Sequence, residues 1–266
     1  MKRRVVVTGV GMITPLGVGV RKNWAALCQG KSGISPITRF DASSLKCQVA
    51  GQIKDFHPQD FMDSKFIRRF DLFIQYGMAA AIMAMEDSGL KINIDTQDRV
   101  GVIMGTAVGA CTFFESAHSF VVGGKFGKVP PFLIVNAAGN SAAGVIAIRF
   151  GAKGPHHLVM DACAAGTNAI GLSFRSIQRG EADAMVTGGA EAPIAASVIA
   201  SLDILGALSS KKNTEPEKAS RPFDGDRDGF VPGEGSAVLV LEALDIALRR
   251  EAKIYGEIVG FGNNCD

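Results

Sequence analysis

A cysteine at a predicted strand-to-helix junction is the residue of this sequence best placed to act as a nucleophile. Cys163 lies in the segment MDACAAGT (160–167), which follows a short apolar run and precedes a helical stretch. The first turn of a helix leaves backbone N–H groups unpaired, and these groups together with the helix dipole favour a thiolate. The thiolate is the nucleophilic form of cysteine, and the small residues around it leave room for a bulky acyl group. A backbone N–H at the junction can also stabilise an oxyanion. The alternative interpretation is a buried cysteine that packs as a small apolar residue.

A glycine pair near the amino terminus suggests a dinucleotide-binding turn, but its spacing is wrong. Residues 9–11 are Gly-Val-Gly and follow an apolar run, yet Thr14 occupies the position of the third glycine of that motif. The acidic residue that binds the ribose in such sites lies about 20 residues further on. The sequence has no Asp or Glu before Asp41. We therefore expect no bound dinucleotide, and the sequence predicts no other cofactor.

Two further segments contain residue types that bind metal ions, but neither has the required spacing. The acidic run over 224–228 is similar to the start of a calcium-binding loop, whose twelfth position must be a bidentate glutamate. That position is a glycine here, so we expect these carboxylates to pair with Arg221 or Arg227 or to cap turns. His156 and His157 are adjacent on a predicted strand, where neighbouring side chains point to opposite faces. No metal site is expected.

Composition excludes several classes of protein. The 266 residues are 47% apolar and 20% charged, which is enough for a buried core, and the net charge of +2 provides no field for nucleic acid or an anionic membrane. No apolar run approaches the length of about 18 residues that a membrane span needs. The five cysteines are odd in number and widely spaced. This pattern argues against a disulfide framework and favours the reducing cytoplasm.

Apolar β-branched runs alternate with Ala-rich helical stretches along most of the chain. This order predicts an α/β protein with a mostly parallel sheet covered by helices on both faces. The predicted strands span 4–8, 100–106, 157–161, 184–187, 236–241 and 254–261. The predicted helices span 20–29, 65–88, 112–122, 135–150, 166–179, 195–205 and 244–250.

Long motifs in a fixed order make the sequence recognisable over nearly its whole length. They are RRVVVTGVGMITPLG (3–17), SGISPITRFD (32–41), FIQYGMAAAIMAMEDSGL (73–90), GPHHLVMDACAAGTNAIG (154–171), DAMVTGGAEAP (183–193), ASRPFDGDRDGFVPGEGSAVLVLE (219–242) and AKIYGEIVGFG (252–262). With these motifs the sequence resembles the β-ketoacyl-acyl-carrier-protein synthases, the condensing enzymes of type II fatty-acid synthesis, and most of all the synthase II type.

The resemblance implies a thiolase-like fold, in which two similar α/β halves stack into α-β-α-β-α layers. Residues 1–266 then correspond to the N-terminal half, which carries the nucleophile, and the C-terminal half is absent from this chain. Two histidines and a lysine of the family's second half assist decarboxylation. None of the four histidines of this sequence matches those positions. The chain is therefore expected to be either a fragment or one polypeptide of a divided enzyme.

The resemblance also implies a reaction and a carrier-protein partner. The family's nucleophile matches Cys163, which accepts an acyl chain from acyl carrier protein as a thioester. Malonyl carrier protein then loses carbon dioxide, and the resulting carbanion attacks that thioester. The family's carrier-protein patch, which faces an acidic helix and a phosphopantetheine phosphate, matches Lys65, Arg68 and Arg69. Their i, i+3, i+4 spacing places them on one helix face.

Four acyl-pocket positions follow from the same resemblance. Val108 and Leu202 match residues that line the family's acyl tunnel. Phe132 and Leu133 match the segment that one subunit packs against the tunnel of the other, which implies a homodimer. The family often has larger residues at the positions of Val108 and Leu202, so the preferred chain length stays open.

Three rival functions remain on sequence grounds. A polyketide-type ketosynthase has the same motifs. A non-catalytic partner subunit of a synthase heterodimer lacks the cysteine, so Cys163 argues against it. A thiolase that acts on coenzyme A esters shares the fold, but the DACAAG and RPFDGDRDGF segments are typical of the synthases.

Overall fold

A seven-stranded mixed sheet with helices on both faces organises residues 2–265, the part of the chain that the computed structural model describes. The strands are β1 (Val5–Thr14), β2 (Gly17–Val18), β3 (Ser35–Pro36), β4 (Val49–Ala50), β5 (Val100–Gly105), β6 (His156–Val159), β7 (Ala184–Glu191), β8 (Gly235–Ala243) and β9 (Gly256–Ile258). The helices are α1 (Val20–Cys28), α2 (Ser64–Arg69), α3 (Leu72–Ser88), α4 (Cys111–Val122), α5 (Leu133–Ala137), α6 (Ser141–Phe150), α7 (Ala165–Gln178), α8 (Ala196–Ile204) and α9 (Leu244–Arg249). Strands β3 and β4 form a separate two-stranded ribbon.

The strand order of the main sheet is β2-β1-β8-β7-β5-β6, and β9 also pairs with β1. Within the described residues, β5 runs parallel to β6 and β7, whereas β1 is antiparallel to β2, β8 and β9, and β7 is antiparallel to β8. The prediction of a mostly parallel sheet is therefore wrong. Helices cover both faces, so the central strands are apolar throughout whichever way they run. Their composition cannot reveal their direction.

Alternate residues of the central strands supply two cores, one on each face of the sheet. Val102 of β5 and Val240 of β8 pack with α3 and α6 on one face. Their neighbours Ile103 and Leu241 pack with Phe174 of α7 on the other face. This alternation follows from the two-residue repeat of a strand, and it fixes the sheet between α3 and α6 on one side and α7 on the other.

The glycine pair at 9–11 serves the packing of α3 and lies inside β1, which runs on to Thr14. A Cβ added at Gly9 would lie 2.6 Å from the Ser88 Cβ, and one added at Gly11 would lie 2.8 Å from the Ala84 backbone nitrogen. Helix α3 thus crosses β1 in direct backbone contact. The glycines lie within the strand and form no turn.

Two predicted helices are each divided in the structure. The helix expected over 65–88 breaks at Phe70, which is extended, and α3 begins after Asp71, whose carboxylate accepts a hydrogen bond from the Phe73 backbone at 3.3 Å. The helix expected over 135–150 breaks at the extended residue Ala138. At the first break Asp71 caps the start of α3. A capping residue lies outside the regular helix, so α2 has to end before it. Apolar periodicity continues across both breaks and therefore conceals them.

The acidic run over 224–228 has the role expected of it. Asp228 accepts a hydrogen bond from the Ser209 hydroxyl and pairs with Arg221 at 2.7 Å, and Asp224 caps the turn at Asp226.

Among the described helices, none combines the length and apolar character that a bilayer crossing requires.

Candidate active site

Three glycines allow the amino terminus of α7 to pack directly on the sheet. A Cβ added at Gly105, the last residue of β5, would lie 2.6 Å from the Gly166 nitrogen and still closer to the Ala165 carbonyl oxygen. A Cβ added at Gly189 of β7 would lie 3.2 Å from the Gly166 Cα. Backbone therefore packs on backbone at this junction. The turn that precedes α7 is held beside the carboxyl ends of β5 and β7.

Cys163 occupies the middle of that turn, a short 3₁₀ segment over Ala162–Ala164. Ala162 has a φ of +42°, a left-handed conformation that costs a residue with a Cβ about 1–2 kcal/mol. The turn is closed by a hydrogen bond from the Ala164 nitrogen to the Asp161 carbonyl at 3.0 Å, and the Asn168 amide of α7 donates to the Asp161 carboxylate. The strained turn presents the Cys163 side chain, which is exposed, directly before α7.

Cys163 lines a cavity of about 610 Å³ together with Val108 and Leu202. The structure thus brings the predicted nucleophile and two of the four predicted acyl-pocket residues to one place. The rest of the lining is mostly apolar or glycine, apart from Thr14, Thr106, Glu191 and Ser236. A cavity of this size and character suits an apolar ligand.

Phe132 and Leu133 lie elsewhere and do not belong to this lining. The Phe132 ring lies under the guanidinium of Arg69, 4.6 Å from it, and makes an edge contact with Phe70. Leu133 is the first residue of α5. Their expected position is the tunnel of a second subunit, so a single chain leaves that prediction untested.

The three predicted carrier-binding cations share helix α2. Lys65 and Arg68 are exposed, and Arg69 is partly buried against Phe132. Within residues 2–265 none of the three forms an ion pair. Asp63 caps α2 by accepting a hydrogen bond from the Phe66 nitrogen at 2.8 Å. Arg68 and Arg69 lie in the last turn of this helix. Their role in carrier binding stays a prediction.

Burial distinguishes Cys163 from two of the other cysteines. Burial raises the pKa of the Cys111 thiol to about 12, and the thiol donates to the Ala192 carbonyl at 3.1 Å. Burial likewise raises the pKa of Cys47, which has no exposed surface. Cys28 is exposed but ends α1, where the helix dipole disfavours an anion. Cys163 alone of these four combines exposure with a helix amino terminus.

Two glutamates that no sequence pattern indicates hold the walls of the cavity. The Glu115 carboxylate on α4 accepts hydrogen bonds from the Ala196 and Ser197 nitrogens at 3.2 and 2.7 Å, and so caps α8, the helix that carries Leu202. Glu191, at the end of β7, binds the loop that carries Val108. Neither contact has a sequence signal, because each glutamate lies more than 80 positions from its partners.

None of the four histidines, all of which fall in the described range, lines the cavity. Residues 2–265 also contain no cluster of three or more His, Cys, Asp or Glu residues that could hold a metal ion. The chemical groups at this cavity include the Cys163 thiol, the backbone N–H groups at the start of α7, and the polar side chains named above.

Similar solved structures define the class of fold. The fold is thiolase-like, with a TM-score of 0.88 and 32% identity to a β-ketoacyl synthase from Burkholderia phymatum, over 100% of this chain and 65% of that one. A ketosynthase of a type II polyketide synthase, solved with its acyl-carrier protein and a hexaketide, matches at a TM-score of 0.83 and 34% identity, over 98% of this chain and 63% of its own.

The family follows from sequence. Residues 2–247 match the model of the β-ketoacyl synthase N-terminal domain, and this chain belongs to that family. It is 46% identical over 265 residues to the 3-oxoacyl-[acyl-carrier-protein] synthase 2 of Synechocystis, a match that covers 100% of this chain and 64% of the relative. The chain therefore spans slightly less than two thirds of the length of such relatives and corresponds to their N-terminal part.

Proposed function

We propose that residues 1–266 are the nucleophile-bearing N-terminal half of a 3-oxoacyl-[acyl-carrier-protein] synthase of fatty-acid elongation. The observation that carries the proposal is the position of Cys163, exposed on a strained turn before α7 and facing a largely apolar cavity with Val108 and Leu202. An acyltransferase that stores its substrate as a thioester needs this combination of a nucleophilic sulfur and an apolar chamber.

The first half-reaction loads the acyl chain. The Cys163 sulfur attacks the thioester carbonyl of an acyl carrier protein, and the resulting oxyanion is stabilised by backbone N–H groups at the start of α7. The tetrahedral intermediate collapses as the phosphopantetheine thiolate leaves. The products are an acyl group on Cys163 and a free carrier thiol, and the acyl tail lies along Val108 and Leu202.

The second half-reaction forms the carbon–carbon bond. Malonyl carrier protein releases carbon dioxide, and the electron pair left on its α-carbon forms an enolate that attacks the Cys163 thioester. The cysteine leaves as a thiolate, and a 3-oxoacyl carrier protein results. Two histidines and a lysine, which the family has in its C-terminal half, assist decarboxylation. We propose that this step requires that half.

The proposed partners follow from α2 and from the family. Lys65, Arg68 and Arg69 offer three positive charges without ion-pair partners among the described residues, which suits an acidic carrier protein and its phosphate. Phe132 and Leu133 complete the acyl tunnel of a second copy in a homodimer. The cytoplasm is the proposed location, and no metal or cofactor takes part.

The test is a loading experiment. Incubation with an acyl carrier protein charged with a medium-length acyl group, followed by mass spectrometry of the digest, is expected to find the acyl mass on Cys163 alone. Cys163→Ala should abolish loading, and Cys111→Ala should leave it intact because that thiol is buried. Loading of another cysteine, or loading that persists in Cys163→Ala, would refute the assignment. Acyl-coenzyme A as the preferred donor would indicate a thiolase instead.

A polyketide ketosynthase is the second candidate, because the type II polyketide ketosynthase shares 34% identity and the same fold. The identity of 46% to a fatty-acid synthase 2 favours the first. Product analysis decides between them: a single extension to a 3-oxoacyl product supports the first proposal, and repeated extension without reduction supports the second.

A further inference from the structure

The Glu191 carboxylate binds four consecutive residues of the loop that carries Val108. This loop, residues 106–109, joins β5 to the start of α4. Oε2 of Glu191 accepts from the Thr106 hydroxyl at 3.0 Å, from the Val108 nitrogen at 2.9 Å and from the Ala107 nitrogen. Oε1 accepts from the Gly109 nitrogen at 3.1 Å.

Three successive backbone N–H groups that converge on one anion form a nest, and hydrogen bonds to a carboxylate are about twice as strong as neutral ones. Gly109 has a φ of +75°, a left-handed conformation open to glycine, and this conformation lets its N–H join the other two. The carboxylate therefore stabilises this conformation of the loop.

These bonds also limit what Glu191 can do. Both carboxylate oxygens already accept from the loop, so the group is occupied as an acceptor and is poorly placed to take a proton from a substrate. Its neighbour in the cavity, Val108, is exposed over 46% of its surface, and its backbone nitrogen donates to Glu191. Glu191 thus holds the backbone on both sides of Val108 as well as Val108 itself.

We propose that Glu191 is a positioning residue that determines the length of alkyl chain the cavity accepts, by fixing Val108 through the nest of loop 106–109. This proposal rests on the proposed function only in taking the cavity beside Cys163 as the acyl chamber. An ordered wall contributes its contacts to a long alkyl chain without an ordering cost, whereas a mobile wall must first be ordered. A short alkyl chain ends before it contacts this wall, so its binding does not depend on whether the wall is ordered.

The test uses probes that measure chain length without requiring turnover. The complete protein is treated with N-ethyl and N-decyl iodoacetamide, and the alkylation rate of Cys163 is followed by mass spectrometry of its peptide. Glu191→Gln retains the side-chain shape but places an NH₂ donor among N–H donors. Its decyl-to-ethyl rate ratio is expected to fall about tenfold, while the ethyl rate stays within about twofold.

Two further variants keep the test decisive. Thr106→Val removes one of the four donors at nearly constant volume and should lower the same ratio by about threefold. Glu217→Gln removes an exposed carboxylate outside the cavity and should leave the ratio unchanged. If circular dichroism shows that Glu191→Gln does not fold, Thr106→Val decides.

The outcomes separate this proposal from the function on which it rests. A folded Glu191→Gln with the original ratio, or with equal losses for both probes, would overturn the positioning role. Where Glu191→Gln does not fold, an unchanged ratio in Thr106→Val would overturn it as well. Failure of the ethyl probe to react preferentially at Cys163 in the unsubstituted protein would instead count against the proposed nucleophile.

Discussion

Substitution of Gly105 by alanine tests whether the close packing of α7 on the sheet positions Cys163. The new Cβ would lie 2.6 Å from the Gly166 nitrogen, whereas ordinary contacts begin near 3.4 Å. The obstructing atoms belong to the backbone of α7 and cannot rotate away, so the start of the helix must move by at least about 0.8 Å, the difference between those two distances, and the Ala165 carbonyl oxygen is closer still. Cys163 lies in the turn joined to that end of the helix and should move with it.

The expected cost has two parts. Overpacking of a close-packed site typically costs about 1–3 kcal/mol of unfolding free energy, and for a chain of this size about 2 kcal/mol corresponds to a loss of roughly 4–8 °C in the unfolding midpoint. A displacement near 1 Å of a reacting group reduces its rate by as much as about a hundredfold. Thermal unfolding followed by circular dichroism measures the first part, and the rate of Cys163 alkylation by iodoacetamide measures the second.

Gly166 provides the matched control, because it lies at the same junction but has space. A Cβ added there would lie 3.5 Å from the Gly189 Cα, an ordinary contact, and alanine is favoured over glycine inside a helix by about 1 kcal/mol. Gly166→Ala should therefore keep or raise the unfolding midpoint, whereas Gly105→Ala lowers it. If Gly105→Ala matched the unsubstituted protein in both midpoint and alkylation rate, the close packing inferred for this junction would be refuted.

Two other experiments test charged residues away from Cys163. Reversal of Lys65 and Arg68 to glutamate should slow association with acyl carrier protein about tenfold or more at low salt and less at high salt, as measured by stopped-flow or surface plasmon resonance. The exposed Lys91→Glu should have little effect, and equal losses in all variants would argue against a specific patch. Burial alone would raise the pKa of Asp228, but hydrogen bonds from a neighbouring loop lower this pKa to about 2. The ionised carboxylate therefore stabilises the fold at pH values above about 4, the pKa of an aspartate in the unfolded chain. Asp228→Asn should therefore lower the unfolding midpoint at neutral pH, and the deficit should shrink as the pH falls from about 4 to 2. A deficit independent of pH would contradict this sign.

The sequence predicts the elements better than their pairing. Each predicted strand or helix overlaps a strand or helix of the structure, because the apolar repeat of 2 or 3.6 residues is a local property. The direction of β8 is not local. It follows α8 after a long loop over 205–234 and enters the sheet between β1 and β7, antiparallel to both. The apolar composition of a strand does not indicate which strands it pairs with or in which direction it runs.

The candidate site likewise contains some residues that the sequence indicates and others that only the structure shows. Cys163 can be found from sequence because its small neighbours and the strand-to-helix boundary lie within a few positions of it. Val108 and Leu202 are found only through the family resemblance, and the structure then places them beside Cys163. Glu115 and Glu191 are found only in the structure, since each binds backbone groups that no side-chain pattern records.

Strand direction also explains why these residues meet at one edge of a mixed sheet. Since β1 and β7 are each antiparallel to β8, they share one direction, and β5 is parallel to β7. The carboxyl ends of β1, β5 and β7 therefore lie at the same edge as the amino end of β8, and all four ends contribute to the cavity lining. In open α/β sheets ligands bind beyond the carboxyl ends of the strands, where helix amino termini also point. The mixed pairing preserves that geometry, because a strand of opposite direction inserted between two others leaves their ends aligned, and Cys163 at the amino terminus of α7 lies at that edge.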